Sequence, residues 1–458
     1  MKQRKMAILH YQVGEMDGVS LEIEKWKLTF EGMGHQVTLV AGHLGTSEGV
    51  LIEELYHHTP VGERLRHNML WGLDDYENDA AYRADLEAAS TVIEEKFSKF
   101  IEENQIDFLV AENIWSVMAN PAVALAIGRV VERYKLQCIA HSHDFYWEKI
   151  GDYSLTCPTA IELAQKYVPP RNPLVHHAVI NQQSKKQLWE RKGIDSVVVP
   201  NIFDFDEKWV VDEYNSDYSE TVGIRPGDIV FLQATRIVQR KAIELAVDFI
   251  KALNSPERRA QLEEKGLYDG RKFNKDNRIV LVLAGYSRDG DTQDYVENLK
   301  RKIKREGVEA LFIEEWIGGD RDFKNGHKVY SLWDSYVFAD FVTYPSIWEG
   351  WGNQLLEALK AKLPIMLFEY PVYEDDIKPN GFELISLGNK IMGYDDLGLV
   401  KVDPIIMNAA ADEAIELLTS AAKRESVVEK NYAIAKKQYS MDALRRYLTA
   451  LMETFEGE

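Results

Sequence analysis

Two carboxylates in one short run are the first sign of chemistry. Glu349 and Glu357 have seven residues between them in the stretch Tyr344-Pro-Ser-Ile-Trp-Glu-Gly-Trp-Gly-Asn-Gln-Leu-Leu-Glu-Ala358. Carboxylates are strong acceptors for the hydroxyls of a sugar or a ribose, because charge-assisted hydrogen bonds are stronger than neutral ones. A strand is expected to end at Pro345 and a helix to open near Asn353, with a turn bearing Gly350 and Gly352 between them. The glycines permit close backbone approach, and the helix start offers unpaired N–H groups and a positive dipole end, which suits a phosphate. Gly350, Gly352, Asn353, Gln354, Leu355 and Glu357 are therefore the expected donor-side set. Two glutamates at this spacing, read alone, describe a solvated helix face equally well. Strand end, glycines and glutamates together are far more specific.

A second cluster lies upstream. Arg236 and Lys241 flank a short turn after an apolar run that ends at Ala234 and before a helical pattern. A diphosphate needs cations at such a strand end, and a guanidinium fork with an ammonium group supplies them. In isolation the pair reads as two surface cations; its place ahead of the glutamate run favours the clamp.

These residues need elements to hold them. Short Val/Ile/Leu-rich runs alternate with helical patterns, the sign of parallel sheets covered by helices. Strands are expected at 6–11, 36–41, 108–112, 137–141, 178–181 and 197–199, and in a second series at 228–234, 279–284, 310–313, 341–343 and 364–368. Helices are expected at 242–253 and 353–361, an exposed excursion at 254–277, and a single packing helix over 432–455 that crosses back to the first half. A polar stretch from Phe203 to Glu220 reads as the linker. The pattern predicts an α/β protein of two Rossmann-like doubly wound domains facing a central cleft: 1–205 for the acceptor, 206–430 for the donor, and 431–458 as the returning helix. In such folds ligands sit at the carboxyl ends of the strands.

In the first half, Glu112-Asn113, with Trp115 after it, ends one expected strand, and Ala140-His-Ser-His-Asp-Phe-Tyr-Trp-Glu148 ends another. His141, His143 and Asp144 thus follow an apolar strand. A His-x-His-Asp run admits a metal site, but no further ligand can be placed from the sequence, and no metal is expected. Tyr146 and Trp147 fit a sugar-stacking wall and core packing equally. Glu112 and Asn113 fit acceptor contacts, or caps of the next helix.

Taken together, Arg236 and Lys241, then Pro345-Ser-Ile-Trp-Glu-Gly-Trp-Gly and Glu357, resemble the retaining, nucleotide-sugar-dependent glycosyltransferases of the GT-B fold, family 4. Pro200-Asn201 with Asp204, and Leu283-Ala-Gly285, match the same family, and the resemblance spans essentially the whole chain. It implies that Arg236 and Lys241 bind the donor diphosphate, Glu349 lies beside the transferred sugar and Glu357 binds the ribose. It also implies that Gly14 and Gly18 shape a loop near the phosphates, although a plain strand-to-helix turn fits them too, and that a histidine reaches the sugar. His143 is the matching position and His141 the alternative; Asp17, His141, Asp144, Tyr146 and Glu112 are the expected acceptor side. The sequence departs from the family in Thr235 for a glycine, in Trp351 at the aromatic slot, and in Pro371-Val-Tyr-Glu-Asp-Asp for a glycine-rich stretch.

The implied reaction moves a hexose from a nucleotide diphosphate sugar, GDP-mannose or UDP-glucose, to a hydroxyl of a small soluble acceptor, with no cofactor required. The run from Tyr11 to Glu22, with the two motifs above, is similar to bacterial members that make compatible-solute glycosides, such as mannosylglucosylglycerate synthases. Another GT-B enzyme, a nucleotide-sugar 2-epimerase or a sugar phosphorylase, and a non-catalytic sugar-nucleotide-binding protein are the alternatives.

Composition fits this reading. Across 458 residues, 54 basic against 74 acidic side chains leave a charge of −20, which disfavours a nucleic-acid groove or an anionic-membrane surface without excluding a local phosphate pocket. No apolar run approaches the roughly 18 residues of a membrane span, the start is too short for a signal-peptide core, and a cytoplasmic location with small-molecule partners is expected; a homo-oligomer is compatible. Two cysteines, Cys138 and Cys157, cannot build a disulfide framework and read as buried hydrophobes.

Overall fold

A computed structural model describes residues 2–15, 17–149, 154–286, 293–324 and 326–455. The chain forms two compact units, one of 1–202 with 441–458 and one of 203–440. The divisions therefore fall at 202/203 and 440/441 rather than at 205/206 and 430/431.

Unit 1 is built on a parallel sheet of seven strands: β1 Lys5–His10, β2 Gln36–Ala41, β3 Val50–Leu51, β4 Phe108–Glu112, β5 Gln137–Ser142, β6 Val175–Val179 and β7 Ser196–Val198. Their order is β3-β2-β1-β4-β5-β6-β7, so the connection direction reverses between β1 and β4. Strand β6 ends before Asn181, contrary to the sequence expectation, because the Asn181 side chain accepts from Ser184 N and caps the next helix. Helix α1, Gly18–Gly32, follows β1 and begins at an Asp17 cap.

Unit 2 repeats the plan. Strands β8 Ile229–Gln233, β9 Ile279–Leu283, β10 Glu309–Phe312, β11 Phe341–Tyr344, β12 Ile365–Leu367 and β13 Ile385–Ser386 run parallel in the order β10-β9-β8-β11-β12-β13. Helix α2, Glu244–Leu253, starts later than expected because Ala242 adopts a left-handed conformation, φ 44°. Helix α3 is Asn353–Lys360. The stretch 254–277 is not a mere excursion: Ser255 caps a helix Pro256–Lys265, and Leu262, Leu267 and Phe273 join the core. A small sheet over 317–331 and a two-stranded one near 393–401 carried no readable pattern, each strand being two to five residues long. Nor is the linker wholly irregular, since Tyr218–Val222 is helical.

The expected single helix over 432–455 breaks at Ser440, where the backbone is extended, into α4 Ala421–Tyr439 and α5 Met441–Glu453. Leu444, Leu448, Leu451 and Met452 of α5 pack with Met6, Ile8, Trp26 and Phe30 in one core of unit 1. Each fully buried aliphatic or aromatic chain there contributes on the order of 1.5–3 kcal/mol.

Candidate active site

In unit 2 the turn Gln239–Lys241 after β8 and the loop after β11 are tied together. Ile347 N donates to Arg240 O at 3.0 Å, and the Arg240 guanidinium donates to Trp348 O at 3.1 Å. The same nitrogen, Nη1, donates to Glu349 Oε2 at 2.7 Å, while Lys241 Nζ donates to Glu349 Oε1. Arg240 also lies over the Trp348 ring, 5.5 Å from its centre. Both Lys241 and Glu349 are buried. Burial lowers the Lys241 ammonium from its usual value, opposed by the Glu349 charge and helped by Arg240 and Arg236. For Glu349 burial alone would raise the carboxyl, but Lys241 and Arg240 outweigh it and hold it below the ordinary value. A buried carboxylate stays ionised here because two cations share it.

Three residues on, Gly352 turns the chain with φ 115° into α3. A Cβ at Gly352 would strike the phenol of Tyr370 and lie 2.6 Å from Tyr344 Oη, so this turn requires glycine. The N-cap Gly352 makes no side-chain cap to α3 and no acid lies in its first turn, so the positive dipole end of this helix suits an anion. Leu355 is core. One helix turn further, Glu357 Oε2 accepts from the buried Tyr336 phenol at 2.6 Å. Gly350 lies in the turn between Glu349 and Trp351, and Trp351 is buried edge-on to Tyr439.

Of the residues expected here, the structure brings Lys241 onto Glu349 directly. Arg236 is exposed at the carboxyl end of β8, near enough for its charge to act on Lys241. Thr235 stands where a glycine was expected; Gly285 supplies the space instead, since a Cβ there would meet Thr235 O. Arg240, Tyr336 and Tyr370 were missed. Arg240 follows Arg236 in the same basic turn, so its charge was visible, but its partner 109 positions away was not.

Unit 1 gathers titratable groups where β1, β4 and β5 end, at the point where the sheet's winding reverses. Glu112 Oε2 accepts from His141 Nδ1 at 2.9 Å and from His143 Nε2 at 3.2 Å, and His10 Nδ1 donates to Glu112 O at 2.7 Å. Glu112 has 0% of its surface exposed, which corrects the expectation that it touches an acceptor. Burial would raise its carboxyl, yet the two histidines hold it at about 2. His141 is buried against the Trp26 ring, 4.3 Å between centres, and burial lowers its pKa; for His143, burial is outweighed by Glu112 and the pKa is raised. Asn113, with φ 53°, accepts from His143 N at 2.8 Å, so it shapes the loop rather than capping a helix.

The remaining expectations divide. Asp17 is a cap: its carboxylate accepts from Val19 N, Ser20 N, Ser20 Oγ and Gln12 Nε2, which occupies both oxygens. Gly14, φ 72°, packs against the 44–47 turn, and Gly18 is the first residue of α1. Trp147 is core, stacked on Phe145 at 4.3 Å with its Nε1 on Gln187, whereas Tyr146 is half-buried and Asp144 exposed. Trp115 is also core.

The ligand atoms of Glu112, His141 and His143 lie within 4.8 Å of one another, a partner for the histidines that the sequence did not place. A metal on His141 Nδ1 would force the ring proton onto Nε2, a buried atom with no acceptor among the described residues. The hydrogen-bonded arrangement leaves only a lone pair there, and the residues fit it better than they fit a metal.

Two doubly wound units, a cation-bound glutamate before a glycine turn, and a helix opening at that turn and leading to a second glutamate define a glycosyltransferase of the GT-B type. Residues 215–433 match the family described as glycosyl transferases group 1, and the chain belongs to it. It is 37% identical over 418 residues to a mannosylglucosylglycerate synthase of Petrotoga mobilis, covering 90% of this chain and 93% of that one. A mannosylglucosylglycerate synthase of Thermotoga maritima is 36% identical over 446 residues, 97% of this chain and 99% of the other. A sucrose-phosphate synthase from Thermosynechococcus elongatus shares the fold, with TM-score 0.59 at 11% identity over 99% of this chain and 100% of that one. Among the described residues no helix is long and apolar enough to cross a membrane.

Proposed function

We propose that the protein transfers a hexose, with retention, from a nucleotide diphosphate sugar to a hydroxyl of a glycerate glycoside. The relatives' name supports a mannosyl product on a glucosylglycerate acceptor, which makes GDP-mannose the first donor to test and UDP-glucose the second. The observation that carries the reading is the Arg240–Glu349–Lys241 cluster set directly before the start of α3.

The chemistry follows from charge. As the bond from the anomeric carbon to the phosphate oxygen breaks, its electrons pass to the departing diphosphate. Lys241, Arg236 and the positive dipole end of α3 stabilise that growing charge more than they stabilise the bound donor. The acceptor oxygen bonds to the anomeric carbon, and its proton passes to the departing phosphate. Glu349 holds sugar hydroxyls, Glu357 the ribose, and His143 the reacting hydroxyl's side. With cations already supplied by the protein, no divalent metal is needed.

Calorimetry with GDP and UDP, and mass spectrometry of products from both donors with glucosylglycerate, test the proposal. Expected are nucleoside diphosphate release with a product heavier by one hexose residue, and loss of both binding and turnover in Arg236→Ala. Unchanged turnover in a folded Arg236→Ala protein would refute the clamp.

A further inference from the structure

Glu112 has no place in the transfer as proposed. It is buried, with Oε2 on two histidines and Oε1 without a hydrogen-bond partner among the described residues, and still holds a charge at the convergence of three strands. Ionised carboxylates are rarely kept in such a position without work to do, because burying one costs several kcal/mol before its partners offset it. Both of its ring partners come from β5 or the residue just after it, and they differ in environment.

His141 is fixed. Its ring stacks on Trp26 at 4.3 Å between centres and lies tilted against His143 at 4.4 Å, and its Nδ1 proton points at Glu112. It orients the carboxylate. His143 is the outer ring: Nε2 donates to the same Oε2, and its backbone N–H is held by Asn113 Oδ1. With Nε2 committed, the ring nitrogen left for a ligand is Nδ1.

We infer that Glu112 is a positioning residue for His143, clamped by His141 so that its Oε2 keeps the proton on His143 Nε2 and presents Nδ1 to the reacting hydroxyl. The inference rests on the reading of His143 given above. The arrangement follows the logic by which a buried carboxylate sets the tautomer of a working imidazole. The groups facing His143 are Glu112 from β4, His10 from β1, His141 and Asp144 on its own segment, and Glu22 from α1. Burial opposes a charged ring, and the three acids favour it.

The test compares wild type with Glu112→Gln, Glu112→Asp and His143→Asn. In Glu112→Gln, kcat should fall about 10- to 100-fold, the scale on which a misplaced orienting group slows a reaction. The donor KM should hold, and the pH limb that His143 controls should move to lower pH. Glu112→Asp, which keeps the charge, should leave that limb closer to wild type. Nitrogen-15 NMR of the wild-type protein, with His143 assigned by its loss in His143→Asn, needs no Glu112 variant: Nε2 should stay protonated with an apparent pKa above 6.5. An Nδ1–H tautomer, or a value below 6.5, would overturn the inference. So would an unmoved limb and unchanged kcat in folded Glu112→Gln, or a tetrahedral cobalt spectrum on adding Co²⁺ that disappears in His143→Asn. Full turnover in His143→Asn would instead remove the reading on which the inference rests.

Discussion

Lys241 and Glu349 form a buried ion pair in which the ammonium donates to Oε1 while Arg240 takes the other oxygen. In the proposed transfer the same lysine grips the donor diphosphate, and Glu349 would keep one counterion when the other is drawn to phosphate.

Replacing Lys241 by Ala should therefore abolish donor binding yet leave the protein folded. Removing one partner of a buried pair typically costs about 3–5 kcal/mol, but Arg240 remains on Glu349, and a smaller loss, about 1–2 kcal/mol, is expected by chemical denaturation. Lys241→Ala with Arg240→Ala should lose more than the sum of the two single changes; strict additivity would contradict shared pairing.

Tyr336→Phe deletes the hydroxyl that Glu357 accepts from in the core of unit 2. A hydrogen bond to a charged group contributes about 1.5–3 kcal/mol. Thermal unfolding should report that loss, and nucleotide affinity should fall with it if Glu357 holds the ribose. A stable variant with normal affinity would show that the phenol neither supports nor orients this carboxylate.

Gly352→Ala places a methyl group against Tyr370 and Tyr344 at a backbone angle that favours glycine. The turn into α3 must shift, so turnover should drop by at least about tenfold through misplacement of the helix start. Tyr370→Phe would not restore it, because the Tyr344 hydroxyl, 2.6 Å from the added carbon, and the strained backbone angle both remain.

Acid should weaken unit 1 through Glu112. Its folded value, about 2, lies below the ordinary 4.5, so the stability it contributes is complete above pH 4.5 and disappears as pH falls towards 2. The stability gap between wild type and Glu112→Gln should widen as pH falls through the range where wild-type His143 protonates ahead of the variant's, and then narrow below 4.5. A gap that stays constant to pH 3 would show the carboxyl is not held ionised.

Much of this was legible in the chain. The main strands show because buried parallel strands are near-continuous apolar runs, as at Ile279–Leu283, and the donor turn shows because glycine, glutamate and helix start are adjacent in sequence. What escaped was set by distant contacts. Nothing near Glu112 announces that two histidines 29 and 31 positions later will lock onto it. Asp17 looked like a ligand contact because a cap and a contact use the same carboxylate. Strands of two residues, such as Val50–Leu51, have no periodicity to read, and Ser440 interrupts an apolar pattern that its neighbours continue.

The return of the chain at Met441 has a consequence for biogenesis. Unit 2 is nested within unit 1, so all of 203–440 is synthesised before α5, which completes the hydrophobic face of β1 and α1. The unit translated first is thus the last to be finished, and until then nascent unit 1 shows the ribosome's surroundings an uncovered apolar patch at Met6, Ile8, Trp26 and Phe30.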